Sequence, residues 1–208
     1  MLLQSKVTMT TTETKDYSQF CEQPHILDAL GEGGGRFLEI GAYHPTQFSN
    51  TRALVEMGWS GVMIEPAPGP FLTLLREYGN EDRIVLINAA LGFARGMAQM
   101  WATDDAVSTT EAANYEQWKP IGGFYGSFFT PVVTLFDVFN QFGGGFDFVS
   151  IDTEGTSVDL FHELLKTDAL PRVICVEHDG RSVECQQAAH KRGYRTVFIN
   201  GTNLVVAR

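Results

Sequence analysis

Cysteine is scarce: Cys21, Cys175 and Cys185 are the only three among 208 residues, and none forms a C-x-x-C pair. An odd, scattered set excludes a disulfide framework and a cysteine-rich zinc site, so a reducing cytoplasm is the expected location. Basic residues are also few, 15 Lys and Arg against 25 Asp and Glu, leaving a net charge of −10. Nucleic-acid binding depends on phosphate neutralisation and anionic membranes attract basic segments, so neither partner is expected. No apolar run reaches the roughly 18–20 residues of a spanning helix. The opening MLLQSKVTMTTTETK lacks the apolar core of a secretory leader. What the chain does have is 44% hydrophobic and 12% aromatic residues, which excludes general disorder. The simplest organisation is a loose tail over 1–20 and one domain over 21–208.

Glycines are missing where a dinucleotide would need them. Residues 36–66, RFLEIGAYHPTQFSNTRALVEMGWSGVMIEP, read as strand, tight turn, helix and strand. The apolar run Phe37, Leu38, Ile40 stops at Gly41, a helix is expected over Gln47–Met57 with Gly58 ending it, and Gly61–Ile64 close on Glu65. A pyrophosphate cradle requires G-x-G-x-x-G. Here the turn is Gly41-Ala42-Tyr43-His44-Pro45-Thr46, with one glycine and a proline. Such a turn suits a ligand that has a ribose but no phosphates, such as S-adenosylmethionine, and an acid at the tip of the second strand suits ribose hydroxyls. An ordinary buried βαβ unit with an exposed Glu65 is the alternative, and a nicotinamide-dependent oxidoreductase is the competing enzyme class.

Along the rest of the chain, Pro24–Leu30 predict a short helix stopped by Gly31, and GEGGG at 31–35 leads into the first strand. Pro70 is expected at a first helical position, followed by core-facing Phe71, Leu74, Leu75 and Tyr78 and by Gly79. Ile84–Ile87 predict a third strand leading to Asn88-Ala89-Ala90. Residues 92–131 have the least regular pattern: a hairpin around Arg95-Gly96, a polar Asp104-Asp105…Ser108-Thr109-Thr110 patch, and GGFYGSFF. So long an excursion suggests a functional insertion. Thr134 predicts an N-cap before Leu135, Val138, Phe139 and Phe142, with Gly143 at the end. Phe146–Ile151 then predict a strand ending in Asp152-Thr153-Glu154-Gly155. Val158, Phe161, Leu164 and Leu165 mark a helix, and Val173–Val176 a strand ending in Glu177-His178-Asp179-Gly180. Ser182 caps a helix closed by Gly193. Asn200-Gly201 between Tyr194–Ile199 and Leu204–Ala207 signals a hairpin. Alternating strands and helices predict an α/β, doubly wound, mostly parallel sheet, closed here by a C-terminal antiparallel hairpin.

These motifs, in this order, resemble the FkbM-type S-adenosylmethionine-dependent methyltransferases over roughly residues 36–206. The matching elements include Glu39-Ile40-Gly41-Ala42, His44-Pro45, Ser49-Asn50-Thr51, Gly58-Trp59-x-Gly61, Ile64-Glu65-Pro66, Asn88 and Ser108-Thr109. They continue with Thr134-Leu135-x-Asp137, Asp147-Phe148-x-Ser150-Ile151-Asp152-x-Glu154-Gly155, Ile174-Cys175-Val176-Glu177 and Gly193-Tyr194. The resemblance implies a class I methyltransferase (Rossmann-like) fold and methyl transfer to oxygen, most often a sugar hydroxyl. It implies that the turn at Gly41, Ala42, Tyr43 and His44 holds the methionine part of the cofactor and that Glu65 binds its ribose. Glu39, Ser49, Asn50, Thr51, Pro66, Asn88, Ala89, Ser108 and Asp152 complete the expected cofactor-binding set. Thr153 and Thr156 depart from the family, in which apolar or acidic residues usually flank the Asp-x-Glu-Gly element. Residues 111–131 lie outside the match, and acceptor choice is expected there.

A sugar hydroxyl needs a general base, or a cation that lowers its pKa. Asp152, Glu154 and His178 are the expected catalytic groups. Asp152, Glu154, Glu177 and Asp179 would hold a divalent cation such as magnesium, with the metal-free route preferred. Each residue also has a plainer reading. Glu39 could cap a backbone amide, Asp152 or Glu154 could cap a helix, and His178 could be a simple loop residue. His44 is expected to position the turn, and His162 and His190 to be solvated. Phe124, Tyr125, Phe128 and Phe129 either stack on a sugar or pack on the core. Residues 104–130 are expected to cover the acceptor site, a saccharide or other small molecule, with Ser108 and Thr109 at the inner edge. A cofactor-binding module without activity is the third reading. Oligomeric state is open.

Overall fold

The computed structural model describes residues 15–103, 108–121 and 123–208. The first fourteen residues of the expected tail, and Asp104-Asp105 of the polar patch, lie outside the described residues.

The main sheet has seven strands: β1 (Arg36–Ile40), β2 (Ser60–Ile64), β3 (Ile84–Ile87), β7 (Phe148–Ile151), β8 (Val173–Glu177), β9 (Arg195–Ile199) and β10 (Asn203–Ala207). Their order is β3-β2-β1-β7-β8-β10-β9. The first five run parallel, and β10 is antiparallel to both β8 and β9. The reversal is local. Asn200 Oδ1 accepts from Thr202 N at 2.8 Å and Asn203 N at 2.7 Å, which turns the chain back on itself.

Alternate residues of each central strand enter opposite cores. Leu38, Ile40, Ile151, Ile174 and Val176 pack under α5 (Leu135–Phe142), α6 (Ser157–Lys166) and α7 (Ser182–Lys191). Phe37, Met63, Phe148 and Cys175 pack under α1 (Glu22–Leu30), α2 (Arg52–Glu56) and α3 (Pro68–Tyr78). Burial on both faces is why these strands read as continuous apolar runs. Because β1, β2, β7 and β8 point the same way, Gly41, Glu65, Asp152 and Glu177 all reach one edge.

Several expectations are corrected. The expected helix over Gln47–Met57 is only α2, five residues long. Its first half is used otherwise: Phe48 has φ 57°, and Ser49 Oγ accepts from Arg52 N at 3.1 Å. α3 begins at Pro68 rather than Pro70, and its inward face is Leu74 and Tyr78, with Leu75 exposed. Ser182 is the first residue of α7, and the N-cap is Arg181, without a side-chain cap bond. Residues 92–131 are largely regular: β5 (Gly96–Ala102), α4 (Ala112–Trp118) and β6 (Gly126–Thr134). With β4 (Ala90–Gly92) they form a second sheet of order β4-β6-β5. The Arg95-Gly96 turn therefore joins strands that do not pair with each other, because β6 lies between them.

Candidate functional site

The first wall is built where β1 and β2 end. Gly41 N and Ala42 N both donate to Ile64 O, at 2.9 and 3.1 Å, folding the turn back over β2. Gly41 has φ 81°, and a Cβ there would lie 1.6 Å from Asp152 O, so no side chain can occupy the position. Glu65, 5% exposed, accepts from Tyr43 N on one carboxylate oxygen at 2.9 Å and from Ala67 N on the other at 2.7 Å. Burial raises its pKa to about 7, against the two backbone bonds that favour the anion. Asn88 Nδ2 donates to Glu65 O and Pro66 O, fixing the strand end from below.

The second wall comes from β7 and β8. Asp152, Glu154 and Glu177 each bring a carboxylate oxygen within 4.8 Å of the others. Neither Asp152 nor Glu154 is the N-cap of α6, a position held by Thr156. Ser157 Oγ accepts from Thr153 N at 2.9 Å and donates to Glu177 at 3.2 Å, while the Thr153 and Thr156 hydroxyls bond each other at 2.8 Å. The family departure at Thr153 and Thr156 is thus a local hydroxyl cluster. Burial, then mutual repulsion among the carboxylates, raises the pKa values of Asp152 and Glu177. A proton held by one of the pair would offset the crowding of negative charge. Three oxygen donors would also suit a hard cation such as magnesium. Asp179 is not part of this trio, although its charge adds to the repulsion that raises Asp152 and Glu177.

Both walls line one crevice. Of the expected residues, Gly41, Tyr43, Glu65, Pro66, Ala89, Ser108, Asp152 and Glu154 face it, as does Glu177. Glu39, Ala42, His44, Ser49, Asn50, Thr51 and Asn88 do not line it and support it from behind. Glu39 accepts from Thr51 Oγ1 at 2.5 Å, and its burial raises its pKa to about 8. His44 Nδ1 accepts from Thr46 N and Gln47 N, the positioning role expected of it. Asn50 Nδ2 donates to Ser150 Oγ at 3.1 Å. His178 is 3% exposed, with Nε2 against Asn200 O at 3.0 Å and Nδ1 accepting from Gly180 N at 3.2 Å. Both ring nitrogens are held by backbone groups away from the crevice, so the expected general base cannot be this histidine.

Other crevice residues escaped the sequence reading. Phe48 reaches it through a positive φ and stacks on Tyr43, centroids 6.3 Å apart, and Met100 and Leu91 arrive from the second sheet. Gln19 and Thr202 line it as well. Only Thr202 had a usable signal, since an antiparallel hairpin after the fifth strand returns its turn to the same edge.

The sequence matches the family profile described as "Methyltransferase FkbM domain" over residues 39–198. No curated protein matches it. Among solved structures, Sp1610 of Streptococcus pneumoniae, a candidate tRNA (m1A22) methyltransferase, is similar. It is 13% identical at a TM-score of 0.50, covering 91% of this chain and 70% of that one. Fibrillarin of Aeropyrum pernix, with natively bound S-adenosyl-L-methionine, is 11% identical at 0.41, covering 86% and 68%. PaMTH1 of Podospora anserina, a methyltransferase bound to S-adenosylhomocysteine, is 13% identical at 0.42, covering 83% and 71%.

Proposed function

Because the chain belongs to the FkbM methyltransferase family, with S-adenosylmethionine as cofactor, we propose that it methylates a hydroxyl of a sugar or of a saccharide-bearing small molecule. The observation that carries this reading is the half-buried Asp152–Glu177 pair facing the same crevice as Glu65. A hydroxyl acceptor must lose its proton as its oxygen bonds the methyl carbon, and a carboxylate of raised pKa is matched to that task near neutral pH. The cofactor supplies a methyl group made electrophilic by a sulfonium. In our reading Glu65 accepts from the ribose hydroxyls, Asp152 takes the acceptor proton, and Glu154 and Glu177 hold the local charge. Residues 21–208 then act as one domain in the cytoplasm, with 108–121 and 123–130 covering the acceptor. A net charge of −10 offers little to an RNA acceptor.

The test measures S-adenosylhomocysteine release with nucleotide-sugars, oligosaccharides and tRNA as acceptors, before and after chelation. We expect saccharide turnover that survives chelation, rises with pH as the carboxylate pair loses its proton, and falls about 10²-fold or more in Asp152→Asn. Turnover on tRNA alone would overturn the acceptor class. Loss on chelation with recovery on added magnesium would overturn the protein base.

A further inference from the structure

Two successive residues of the acidic loop have positive φ, Glu154 at 52° and Gly155 at 118°. Glycine adopts such angles freely, but a glutamate does so at a cost that surrounding contacts must offset. The contacts come from far along the chain. The carbonyl of Glu154 accepts from Thr109 Oγ1 at 2.9 Å and from Asn114 Nδ2 at 2.6 Å. Thr109 Oγ1 also accepts from Glu111 N at 3.0 Å, which orients its hydroxyl proton toward Glu154. A Cβ on Gly155 would lie 2.5 Å from Asn114 Nδ2, so the glycine lets the two segments approach this closely.

The segment that supplies these donors is itself anchored on β5. Thr109 and Trp101 exchange backbone bonds of 2.9 and 3.1 Å, and Tyr115 stacks on Trp101 with centroids 4.8 Å apart. α4 buries none of its own residues, so specific contacts rather than a core face hold it. Ser108 and Thr110, on either side of Thr109, line the crevice. One short stretch therefore touches the crevice and grips the backbone of the acidic loop at once.

We propose that Thr109 and Asn114 are positioning residues. By bonding the Glu154 carbonyl, they keep that residue in the left-handed conformation that places its carboxylate beside Asp152 and Glu177, so docking of residues 108–118 completes the acceptor side of the site. This inference rests on the acceptor role proposed for the acidic group. Neither residue needs to touch cofactor or acceptor.

The experiment compares wild type with Thr109→Val, Thr109→Ser, Asn114→Ala and the Thr109→Val/Asn114→Ala double variant. We expect kcat to fall about ten- to a hundredfold in Thr109→Val and in Asn114→Ala, the scale of misplacing a catalytic group. Cofactor Kd by calorimetry should stay within about twofold, since the Glu65 wall is untouched. Thr109→Ser should recover most of kcat, and the double variant should lose less than the product of the singles, because both act through one carbonyl. Unchanged kcat in both single variants, cofactor affinity falling in step with kcat, or a serine as poor as valine would overturn the proposal. A second readout does not depend on acceptor identity: amide exchange over residues 153–156 should quicken in Asn114→Ala while β1 and β8 stay protected. If wild type methylates no saccharide, the function reading fails, whereas unaltered exchange in Asn114→Ala sinks the positioning role by itself.

Discussion

Glu65 performs two tasks at one position. Its oxygens accept from the Tyr43 and Ala67 amides, and the residue lines the crevice. Two backbone donors fix the carboxylate before any ligand arrives, so little ordering cost remains on binding. Glu65→Ala should weaken S-adenosylmethionine binding by roughly 2–3 kcal/mol, the scale of losing a charged hydrogen-bonding partner. Calorimetry giving wild-type affinity for that variant would refute the ribose contact. At this scale, strand ends were readable. Gly41 and Glu65 each follow an apolar run, and both line the crevice where β1 and β2 end. His178 also follows such a run, but its partners Asn200 O and Gly180 N depend on a hairpin turn 22 residues away and on a tight local turn. Residue type alone could not reveal that both nitrogens were already engaged.

Some elements with a local signal formed where it stands, whereas Ser182 and Pro70 each lie inside their helices rather than at the expected starting position. Thr134 is the clearest of the former. Its hydroxyl accepts from Asp137 N at 3.2 Å, and Asp137 accepts in return from Thr134 N at 2.9 Å, a reciprocal cap at the junction of β6 and α5. Arg95, in the turn between β4 and β5, pairs with the same Asp137, so the cap also ties the second sheet to α5. Thr134→Ala should cost about 1 kcal/mol of stability by urea denaturation, with cofactor affinity unaltered because Thr134 does not line the crevice. A loss below a few tenths of a kcal/mol would mean that the Arg95 pairing alone holds this junction. Where long-range contacts decided the outcome, the sequence pattern misled. Helical spacing persists from Gln47, yet Ser49, Asn50 and Thr51 have better partners in Arg52 N, Ser150 and Glu39 than a further helical turn would offer. Likewise the Arg95-Gly96 turn is a real reversal, and only the arrival of β6 some thirty residues later separates the strands it joins.

Across the whole molecule, the crevice and the wall behind it gather acids whose burial outweighs their compensation, and the balance of stability with pH follows. Glu39 is raised to about 8 and Glu65 to about 7, both chiefly by burial, and the Asp152–Glu177 pair shifts the same way. In the unfolded chain these groups release their protons near pH 4. Between that point and the folded pKa the native state binds more protons, so raising the pH favours unfolding. Their contribution is fully retained below the unfolded pKa, is lost as pH climbs, and levels off only above about pH 9, the highest of these values. Asp137 runs the other way: the Arg95 guanidinium beside it holds it well below the usual carboxylate range, so its stabilisation disappears only in strong acid. The window from pH 5 to 8.5 therefore isolates the buried acids. Each pKa unit is worth about 1.4 kcal/mol, so Glu39 alone accounts for a few kcal/mol at most across that window. Glu39→Gln keeps an acceptor for Thr51 Oγ1 and removes the titration. Denaturation of the cofactor-free protein should give Glu39→Gln and wild type similar stability at pH 5, with the variant the more stable by pH 8.5. Parallel profiles across the window would mean that Glu39 titrates in the folded protein as it does in the unfolded chain, and the buried-acid account of this crevice would fall with it.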